Sequence, residues 1–224
     1  MNENRKPEIR VLYEDGELIV CVKPAGVLSQ ADQSESMVSL LAERCNCAVY
    51  PLHRLDREVS GVMVYAKTKG AAAFLSREIA ERRMTKEYLA CVHGCPAEAS
   101  GEMCDLLFKD SQRNKSFVVD RLRKGVKDAK LEYRVLATQT AAGEVRSLVR
   151  IRLHTGRTHQ IRVQFASRKM PLVGDKKYGA KDGSEDLCLW SHKLSFTHPK
   201  TKKTVSFCYE PPFLGENNDR GEPK

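Results

Sequence analysis

The sequence predicts an α+β fold built on a mixed, mainly antiparallel sheet with flanking helices. Segments with a strand pattern outnumber segments with a helical pattern, and the two do not alternate as they would in a parallel βαβ arrangement. A length of 224 residues suits one large domain or two closely joined lobes. Hydrophobic residues at 41% and charged residues at 30% are typical of a globular chain with ample core.

The first half of the chain carries two strand signals and two helix signals. The apolar run 18–22 predicts a buried strand, and so does the run 62–67. Apolar residues at helical spacing from Met37 to Cys45 predict a helix that Ser36 caps. Residues 71–82 predict an amphipathic helix whose C-terminal end carries cations, which suit either the helix dipole or a polyanion.

The second half is richer in strands. Residues 88–92 alternate, and residues 145–153 alternate most clearly, with one apolar face and one face that carries three arginines. Those arginines suit a solvated outer face or contact with a polyanion. Gly156 predicts a turn into a helix that begins near Thr158, whose hydroxyl is a candidate cap. The charged segment 109–128 contains few apolar residues and predicts an insertion or a mobile loop.

Charge and hydropathy limit the partners and the location of the chain. A formal net charge of +9 favours a polyanionic partner, although many basic proteins bind no nucleic acid. Residues 1–7 lack the apolar core of a signal peptide, and no apolar run approaches the length of a membrane span. We therefore expect a cytoplasmic protein with no membrane partner.

The eight cysteines predict neither disulfides nor a metal site. Several fall in apolar stretches, as buried thiols do, and the chain has no signal for secretion. Cys91, His93 and Cys95 could share one face of a strand, with Cys104 as a fourth ligand. However, no Cys-x-x-Cys pair is present, so we expect no metal.

One run combines a carboxylate with several cations: His53-Arg54-Leu55-Asp56-Arg57-Glu58-Val59-Ser60-Gly61. Positive charge on Arg54 and Arg57 favours the ionised form of Asp56. An ionised aspartate can act as a nucleophile or a base, and the cations could hold a polyanionic substrate. The alternative interpretation is an exposed loop of mixed charge ahead of a buried strand.

This run resembles the signature of the RluA-type pseudouridine synthases, in which His-Arg-Leu-Asp is followed by two variable residues and Thr-Ser-Gly. Val59 stands where threonine is usual. Gln164 replaces a common histidine, and Trp190-Ser191 replaces His-Ala, which bears on substrate choice more than on chemistry. Further matches follow the family's order over about residues 9–212, at Lys23-Pro24-Ala25-Gly26, Lys86-Glu87-Tyr88, 154–163, 171–179 and 194–199.

The resemblance implies a sheet split by a central active-site cleft and an enzyme that isomerises specific uridines to pseudouridine in structured RNA. It implies an rRNA or tRNA stem-loop as the partner, and no cofactor or metal. We expect a flexible N-terminus (1–8), a catalytic domain (9–212) and a disordered tail (213–224). Since we expect the family's optional N-terminal RNA-binding module to be missing, RNA recognition falls to the catalytic domain, which we expect to be a monomer.

The resemblance also assigns three active-site residues. Asp56 is the catalytic carboxylate, which attacks C1′ of the ribose or removes a 2′ proton; the sequence leaves both routes open. Arg162 is its ion-pair partner, with a surface arginine as the alternative. Tyr88 stacks on uracil, and its hydroxyl could help the late deprotonation at C5, with a core tyrosine as the alternative.

RNA contacts are expected from the same motifs. Arg54 resembles the family arginine that enters the RNA where the uridine flips out, or it is a second ion-pair partner of Asp56. His154 and His159 are expected to order their loop or to touch phosphate. The other candidates for RNA contact are His53, which could instead shape its loop, Arg57, Lys23 and Arg157.

Two other functions were weighed against the enzyme. One is a non-catalytic RNA-binding protein that keeps the fold. The other is a hydrolase that uses Asp56 with a histidine. The aspartate, tyrosine and arginine weigh against the first, and the absence from the sequence of a second paired carboxylate or a nucleophile elbow weighs against the second.

Overall fold

The computed structural model describes residues 7–30, 35–141, 143–184 and 186–214. Within these residues, eleven strands form one mixed sheet. Its strands are β1 (Arg10–Glu14), β2 (Leu18–Lys23), β3 (Tyr50–Pro51), β4 (Ser60–Ala66), β5 (Thr85–His93), β6 (Ser100–Asp110), β7 (Lys115–Val119), β8 (Val126–Ala141), β9 (Glu144–Leu153), β10 (Leu189–Thr197) and β11 (Thr204–Cys208). The helices are α1 (Met37–Cys45), α2 (Lys69–Ala80) and α3 (Gln160–Ser167), with single 3₁₀ turns at Lys176–Tyr178 and Pro212–Leu214.

A short seam joins the two halves of the sheet. The strand order is β1-β2-β4-β10-β5-β9-β8-β6-β7, with β3 beside β4 and β11 beside β10. Among the described strands, every pairing is antiparallel except that of β4 with β10, which is parallel and comprises Ser60 opposite Trp190 and Gly61 opposite Ser191. Beyond these residues the halves diverge and leave a cleft. The predicted α+β class with a mainly antiparallel sheet is confirmed.

Two buried clusters cover the two faces of the sheet. Alternate residues of the central strands point to opposite faces, and β2 and β4 are mostly apolar and buried on both faces. Leu18, Val64 and Leu75 belong to the cluster under α2. Met63 and Phe165 belong to the larger cluster under α1 and α3. The loop that carries Asp56 therefore leads into a strand, β4, that is packed on both faces.

The predicted helix starts are confirmed for α1 but not for α3. The Ser36 hydroxyl accepts a hydrogen bond from the Ser39 backbone N–H, as the sequence predicts. At α3 the N-cap is His159, in the left-handed conformation with φ 53°, and no side chain caps the helix. The prediction of Thr158 as the cap is wrong, because this turn is held instead by the Gln160 side chain, which accepts from the Arg157 backbone N–H.

Two other predictions need correction. The segment 109–128 is not an irregular loop: it forms the β6–β7 hairpin and the start of β8, because cross-strand pairs such as Phe108–Phe117 continue the sheet. The cysteines are free, but only Cys21 is buried. Cys104 in β6 and Cys208 in β11 are exposed, because one face of these strands meets solvent, and Cys95 is exposed in the loop after β5.

The predicted flexible ends fall mostly outside the described residues, which begin at residue 7 and end at residue 214. The domain limits of 9 and 212 therefore remain a prediction. None of the helices in the described ranges has the length and apolar character needed to cross a lipid bilayer.

Replacing Gly61 by alanine should destabilise the fold, because the seam needs a residue with no Cβ. Gly61 has a φ of +121°, and an added Cβ would lie 2.3 Å from the Ser191 carbonyl oxygen. We expect Gly61→Ala to lower the free energy of unfolding by about 3 kcal/mol or more, measured by urea denaturation. Gly16 has open space around it, so Gly16→Ala should change stability by less than about 1 kcal/mol. Equal stability of the two variants would contradict this account of the seam.

Candidate active site

A cavity of about 310 Å³ opens where the sheet divides. One wall is the loop between β3 and β4, and the other walls are the start of β5, the segment that leads into α3, and Leu189 at the seam. The lining includes His53, Arg54, Leu55, Asp56, Lys86, Tyr88, Arg157, His159, Ile161 and Arg162. The strand ends on the two sides of the seam thus place residues far apart in sequence around one space.

Asp56 lies on the cavity wall in a loop whose backbone is tied down on both sides. The Ser29 hydroxyl hydrogen-bonds the Leu55 carbonyl oxygen at 3.0 Å. The Arg57 carbonyl oxygen accepts from the Gly26 backbone N–H at 2.9 Å and from the Lys23 ammonium at 3.0 Å. The segment 23–29 therefore positions the aspartate without touching its carboxylate.

The Lys23 side chain supports the backbone of the active-site loop rather than facing the solvent. Its side chain is fully buried, and its ammonium also donates to the carbonyl oxygens of Pro24 and Val27. Burial lowers the pKa of Lys23 to about 8, and the nearby charge of Asp56 opposes this shift. Because its donors are engaged by the protein backbone, this geometry argues against the predicted contact between Lys23 and RNA.

Arg162 connects three carboxylates. Its Nε and Nη2 donate to the two oxygens of Asp175 at 2.7 and 2.8 Å, which is the paired geometry that fixes a guanidinium plane. Its Nη1 lies 3.1 Å from Glu58 and 3.4 Å from Asp56. The expected pairing with Asp56 is present, but Asp175 is the closer partner. The alternative of a surface arginine does not fit, since only 3% of the side chain is exposed.

The carboxylates keep Arg162 charged. Burial by itself lowers the pKa of this guanidinium, but the hydrogen bonds and charge of Asp175 outweigh burial, and Asp56 and Glu58 add to them. The net effect raises the pKa of Arg162. A permanent positive charge therefore faces Asp56.

His159 is a second neighbour of Asp56. Its Nε2 lies 3.6 Å from an Asp56 oxygen, and its Nδ1 lies 3.0 Å from the Tyr178 hydroxyl. That hydroxyl also accepts a hydrogen bond from the Ser116 backbone N–H in β7. Burial lowers the pKa of His159 despite the opposing effect of Asp56, which favours the neutral ring at pH 7.

Tyr88 forms a buried wall of the cavity. Only 5% of the residue is exposed, and Tyr88 in β5 lies opposite Ser191 of β10 in the sheet register. Burial, followed by the negative charge of Asp56, raises the pKa of Tyr88 above its ordinary value. The phenol is therefore protonated at pH 7.

The remaining predicted residues differ in their surroundings. His53 is buried, and its Nε2 accepts from the Val64 backbone N–H, so it holds the loop against β4. Burial, and then the charge of Lys86, lowers the pKa of His53 well below its ordinary value. Arg54 is exposed at the cavity, and its side chain has no hydrogen bond or ion pair within the described ranges.

Arg57 and Arg157 are held by backbone carbonyls. The Arg57 Nε donates to the Gly26 carbonyl oxygen at 2.8 Å, and the residue does not line the cavity. The Arg157 Nε donates to the Asp128 carbonyl oxygen at 2.7 Å, and Arg157 does line it. The alternative interpretation of Arg54, as a second ion-pair partner of Asp56, is not among the ion pairs of the described residues.

Sequence reasoning missed the roles of Glu58, Asp175 and Tyr178 around Arg162. Asp175 and Tyr178 were part of the matched segment 171–179, yet nothing in their spacing indicates which side chain they contact. A buried arginine needs more than one acceptor, which is the one signal that could have prompted a search for a further carboxylate.

The predicted absence of a metal remains a prediction. Within the described part of the chain, no group of three or more His, Cys, Asp or Glu side chains is placed to hold a metal ion. The Nε2 of His93, one of the candidate zinc ligands, lies 2.7 Å from an Asp182 carboxylate oxygen.

Comparisons with known proteins agree with these observations. The family described as RNA pseudouridylate synthase matches residues 17–167. The tRNA pseudouridine synthase C of Haemophilus ducreyi is 34% identical over 226 residues, which cover 89% of this chain and 89% of that protein. The dual-specificity RNA pseudouridine synthase RluA of Haemophilus influenzae is 34% identical over 218 residues, which cover 92% of this chain and 94% of that protein.

Among solved structures, the human RNA pseudouridylate synthase domain containing 1 superposes with a TM-score of 0.81 at 26% identity. The match covers 96% of this chain and 88% of the human chain.

Removing the charge of Asp175 should cost far more stability than removing that of Glu58, although both contact the same guanidinium. Asp175 is buried and paired twice, whereas 60% of the Glu58 side chain is exposed. We expect Asp175→Asn to lower the free energy of unfolding by about 3 kcal/mol. Glu58→Gln should lower it by less than about 1 kcal/mol. Urea denaturation of both variants at pH 7 measures the difference, and similar losses would show that the Asp175 pair is not the main support of Arg162.

Proposed function

Since this chain belongs to the RNA pseudouridylate synthase family, we propose that Asp56 is the carboxylate through which it isomerises uridine. The chain is an RNA pseudouridine synthase, and its product is pseudouridine within an RNA strand. The observation that carries the proposal is the position of Asp56 on the wall of the cavity, between the fixed positive charge of Arg162 and the neutral ring of His159.

The reaction rearranges one nucleotide without a net change in its atoms. The bond from N1 of uracil to C1′ of ribose breaks, and the base turns. A bond then forms from C5 to C1′. The hydrogen on C5 leaves as a proton, and N1 gains a proton. The protein must therefore supply a carboxylate at the ribose, a charge that keeps it ionised, and an enclosed wall on which a detached uracil can turn.

Asp56 suits the first of these tasks by either of two routes. It can attack C1′ to form an ester, or it can remove the 2′ proton to give a glycal. In both routes the carboxylate loses its negative charge. Of the three carboxylates that contact Arg162, Asp56 is the most distant, at 3.4 Å, because Asp175 holds the guanidinium in place. Arg162 therefore stabilises the ionised carboxylate of Asp56 without a short hydrogen bond that would block its attack. The structure is compatible with both routes.

Tyr88 suits the second half of the reaction. Its ring forms a wall of the cavity and can stack on the base. The charge of Asp56 helps to keep the hydroxyl protonated in the resting site. Once Asp56 has reacted and is neutral, that contribution disappears. We therefore propose that the Tyr88 hydroxyl takes part in the removal of the C5 proton only after the first step.

The substrate is proposed to be a stem-loop in tRNA or rRNA. The relatives that cover most of their own length are named for tRNA and for dual specificity in RNA, which favours a substrate of this class. A uridine must leave its stack to reach Asp56, and extrusion costs a few kcal/mol. Arg54 lines the cavity, is exposed, and has no hydrogen bond or ion pair within the described residues. We propose that its side chain fills the place in the RNA stack that the extruded uridine leaves. A cytoplasmic location and a monomeric state remain predictions.

Asp56→Asn should abolish the reaction and leave RNA binding nearly unchanged. Asparagine keeps the size of the side chain but is a poor nucleophile and base. RNA from cells that lack the gene, labelled with [5-³H]uridine, releases tritium to water with each conversion. We expect a fall of at least about 10⁴-fold in tritium release, since the residue is required for the chemical step, with RNA affinity within about twofold of wild type.

Glu58→Gln is the matched control, because Glu58 contacts the same arginine but does not line the cavity. It should retain most of the activity. Equal activity of wild type and Asp56→Asn would show that Asp56 is not the catalytic carboxylate. Binding of RNA by both without tritium release from either would favour the alternative of a non-catalytic RNA-binding protein.

Tyr88→Phe separates the ring of Tyr88 from its hydroxyl. Phenylalanine keeps the stacking surface, so we expect RNA affinity to be nearly unchanged. Loss of the hydroxyl should lower kcat by about 10²- to 10⁴-fold, which is typical for a lost proton-transfer group. Single-turnover tritium release measures this effect. Wild-type kcat in Tyr88→Phe would mean that only the ring contributes.

A further inference from the structure

A second cleft, of about 110 Å³, lies directly beside the active-site cavity. The turn from α2 into β5 forms one side of it, and the loop after β9 forms the other. The two spaces share the wall residues Ile79, Lys86, Leu153 and Gly156. Sites that enclose a whole small molecule usually measure about 300–1,000 Å³. The second cleft therefore suits one group of a ligand whose remainder lies elsewhere.

Three cations line this second cleft: Arg82, Lys86 and Arg152. Within the described part of the chain, their side chains form no hydrogen bond or ion pair. The adjacent Arg83 provides a contrast, because Glu78 and Glu81 both pair with it. The cleft therefore holds positive charge that the protein itself does not neutralise.

No aspartate or glutamate is among the residues that line the second cleft in the described part of the chain. Glu132 and Glu87 are the cross-strand partners of Arg152 in the sheet register, and neither forms an ion pair with it within the described ranges. Glu132 instead lies 2.7 Å from the ring of His154, which also lines the cleft. An anion that entered the cleft would meet cations rather than a row of acids.

The backbone at Arg82 has a conformation in which glycine is a favourable replacement. Arg82 has a φ of 58°, in the left-handed region that favours glycine. The Arg82 N–H donates to the Ile79 carbonyl and the Arg83 N–H donates to the Glu78 carbonyl, which is the Schellman pattern at a helix end. Glycine would relieve the strain at this position. Replacing Arg82 by glycine therefore removes one positive charge from the cleft while the backbone keeps its conformation.

Lys86 adds a partly buried positive charge to the second cleft. Its side chain is half-buried, and burial lowers its pKa to about 8. At pH 7 the ammonium remains mostly protonated although it is partly desolvated, so an anion beside it would be bound favourably. Lys86 also lines the active-site cavity, and it is two residues from Tyr88.

We propose that the second cleft binds a backbone phosphate of the RNA strand next to the target uridine, through Arg82, Lys86 and Arg152. The proposal rests on the proposed function, because it takes the extruded nucleotide to occupy the adjoining cavity. A phosphate there would fix the direction in which the strand leaves the active site. It carries no sequence information, since every nucleotide has the same phosphate.

The test compares Arg82→Gly with Lys169→Gly. Lys169 is also a cation in the left-handed conformation, with a φ of 62°, and it occupies the same position at the end of α3. It is exposed and lines neither space. Both substitutions remove one positive charge and relieve the same backbone strain. Neither variant should melt below wild type in a thermal scan, so a loss of RNA affinity cannot be attributed to unfolding.

We expect only Arg82→Gly to affect RNA. Its KM for [5-³H]uridine-labelled RNA should rise about five- to tenfold, the size expected for one charged contact. The Kd for unfractionated tRNA, measured from 50 to 200 mM salt, should show a log–log slope that is shallower by about 0.7–0.9, as expected for one lost phosphate contact. Arg152→Gln, on a strand rather than a helix end, should repeat both effects.

Equal KM and equal salt slopes for Arg82→Gly and Lys169→Gly would overturn the phosphate site. Absence of tritium release by the wild type would overturn the proposed function instead. In that event the salt slopes still decide whether the cleft binds a phosphate.

Discussion

The arrangement of the active site depends on one buried ion pair, between Arg162 and Asp175. An arginine with 3% of its side chain exposed cannot remain charged in the interior without acceptors. Asp175 supplies two of them in a paired geometry, which fixes the guanidinium plane and leaves Nη1 directed at Asp56 and Glu58. This pair fixes the position of the positive charge of Arg162. Asp56 is the carboxylate on the cavity wall that lies next to this charge. The contribution of the ion pair is therefore to position charge more than to add stability.

That pair has its effect because the sheet divides next to it. A parallel seam of two residue pairs, at Gly61, holds β4 against β10 and lets the remaining strand ends separate. The loop ahead of β4 carries Asp56, and β5 on the other side carries Tyr88. The segment 23–29 fastens the same loop through Lys23 and Ser29. Backbone hydrogen bonds and the close approach allowed by Gly61 thus position the reacting groups. The charged side chains around them set their electrostatic surroundings.

Sequence alone predicted the fold class, α1 with its cap at Ser36, the buried strands and the loop that carries Asp56, because these follow from local patterns. It also brought Asp56, Tyr88 and Arg162 together through the family resemblance. The prediction that Lys23 contacts RNA does not fit its complete burial. The prediction of a mobile loop over 109–128 was wrong, because its charged residues lie on a regular hairpin. Sequence alone did not find the link from Asp175 to Arg162, since nothing in a sequence states which buried charge meets which partner. Its assignments of role to individual residues remain proposals.

The most direct measurement is a map of pseudouridine in total RNA from cells with and without this gene, by carbodiimide labelling and sequencing. The account predicts that one or a few uridines in tRNA or rRNA lose their signal in the deletion strain. A plasmid copy of the wild-type gene should restore it, and a copy whose catalytic carboxylate has been neutralised should not. An unchanged map in cells that normally express the gene, or restoration by the neutralised copy, would contradict the claim that this carboxylate makes pseudouridine.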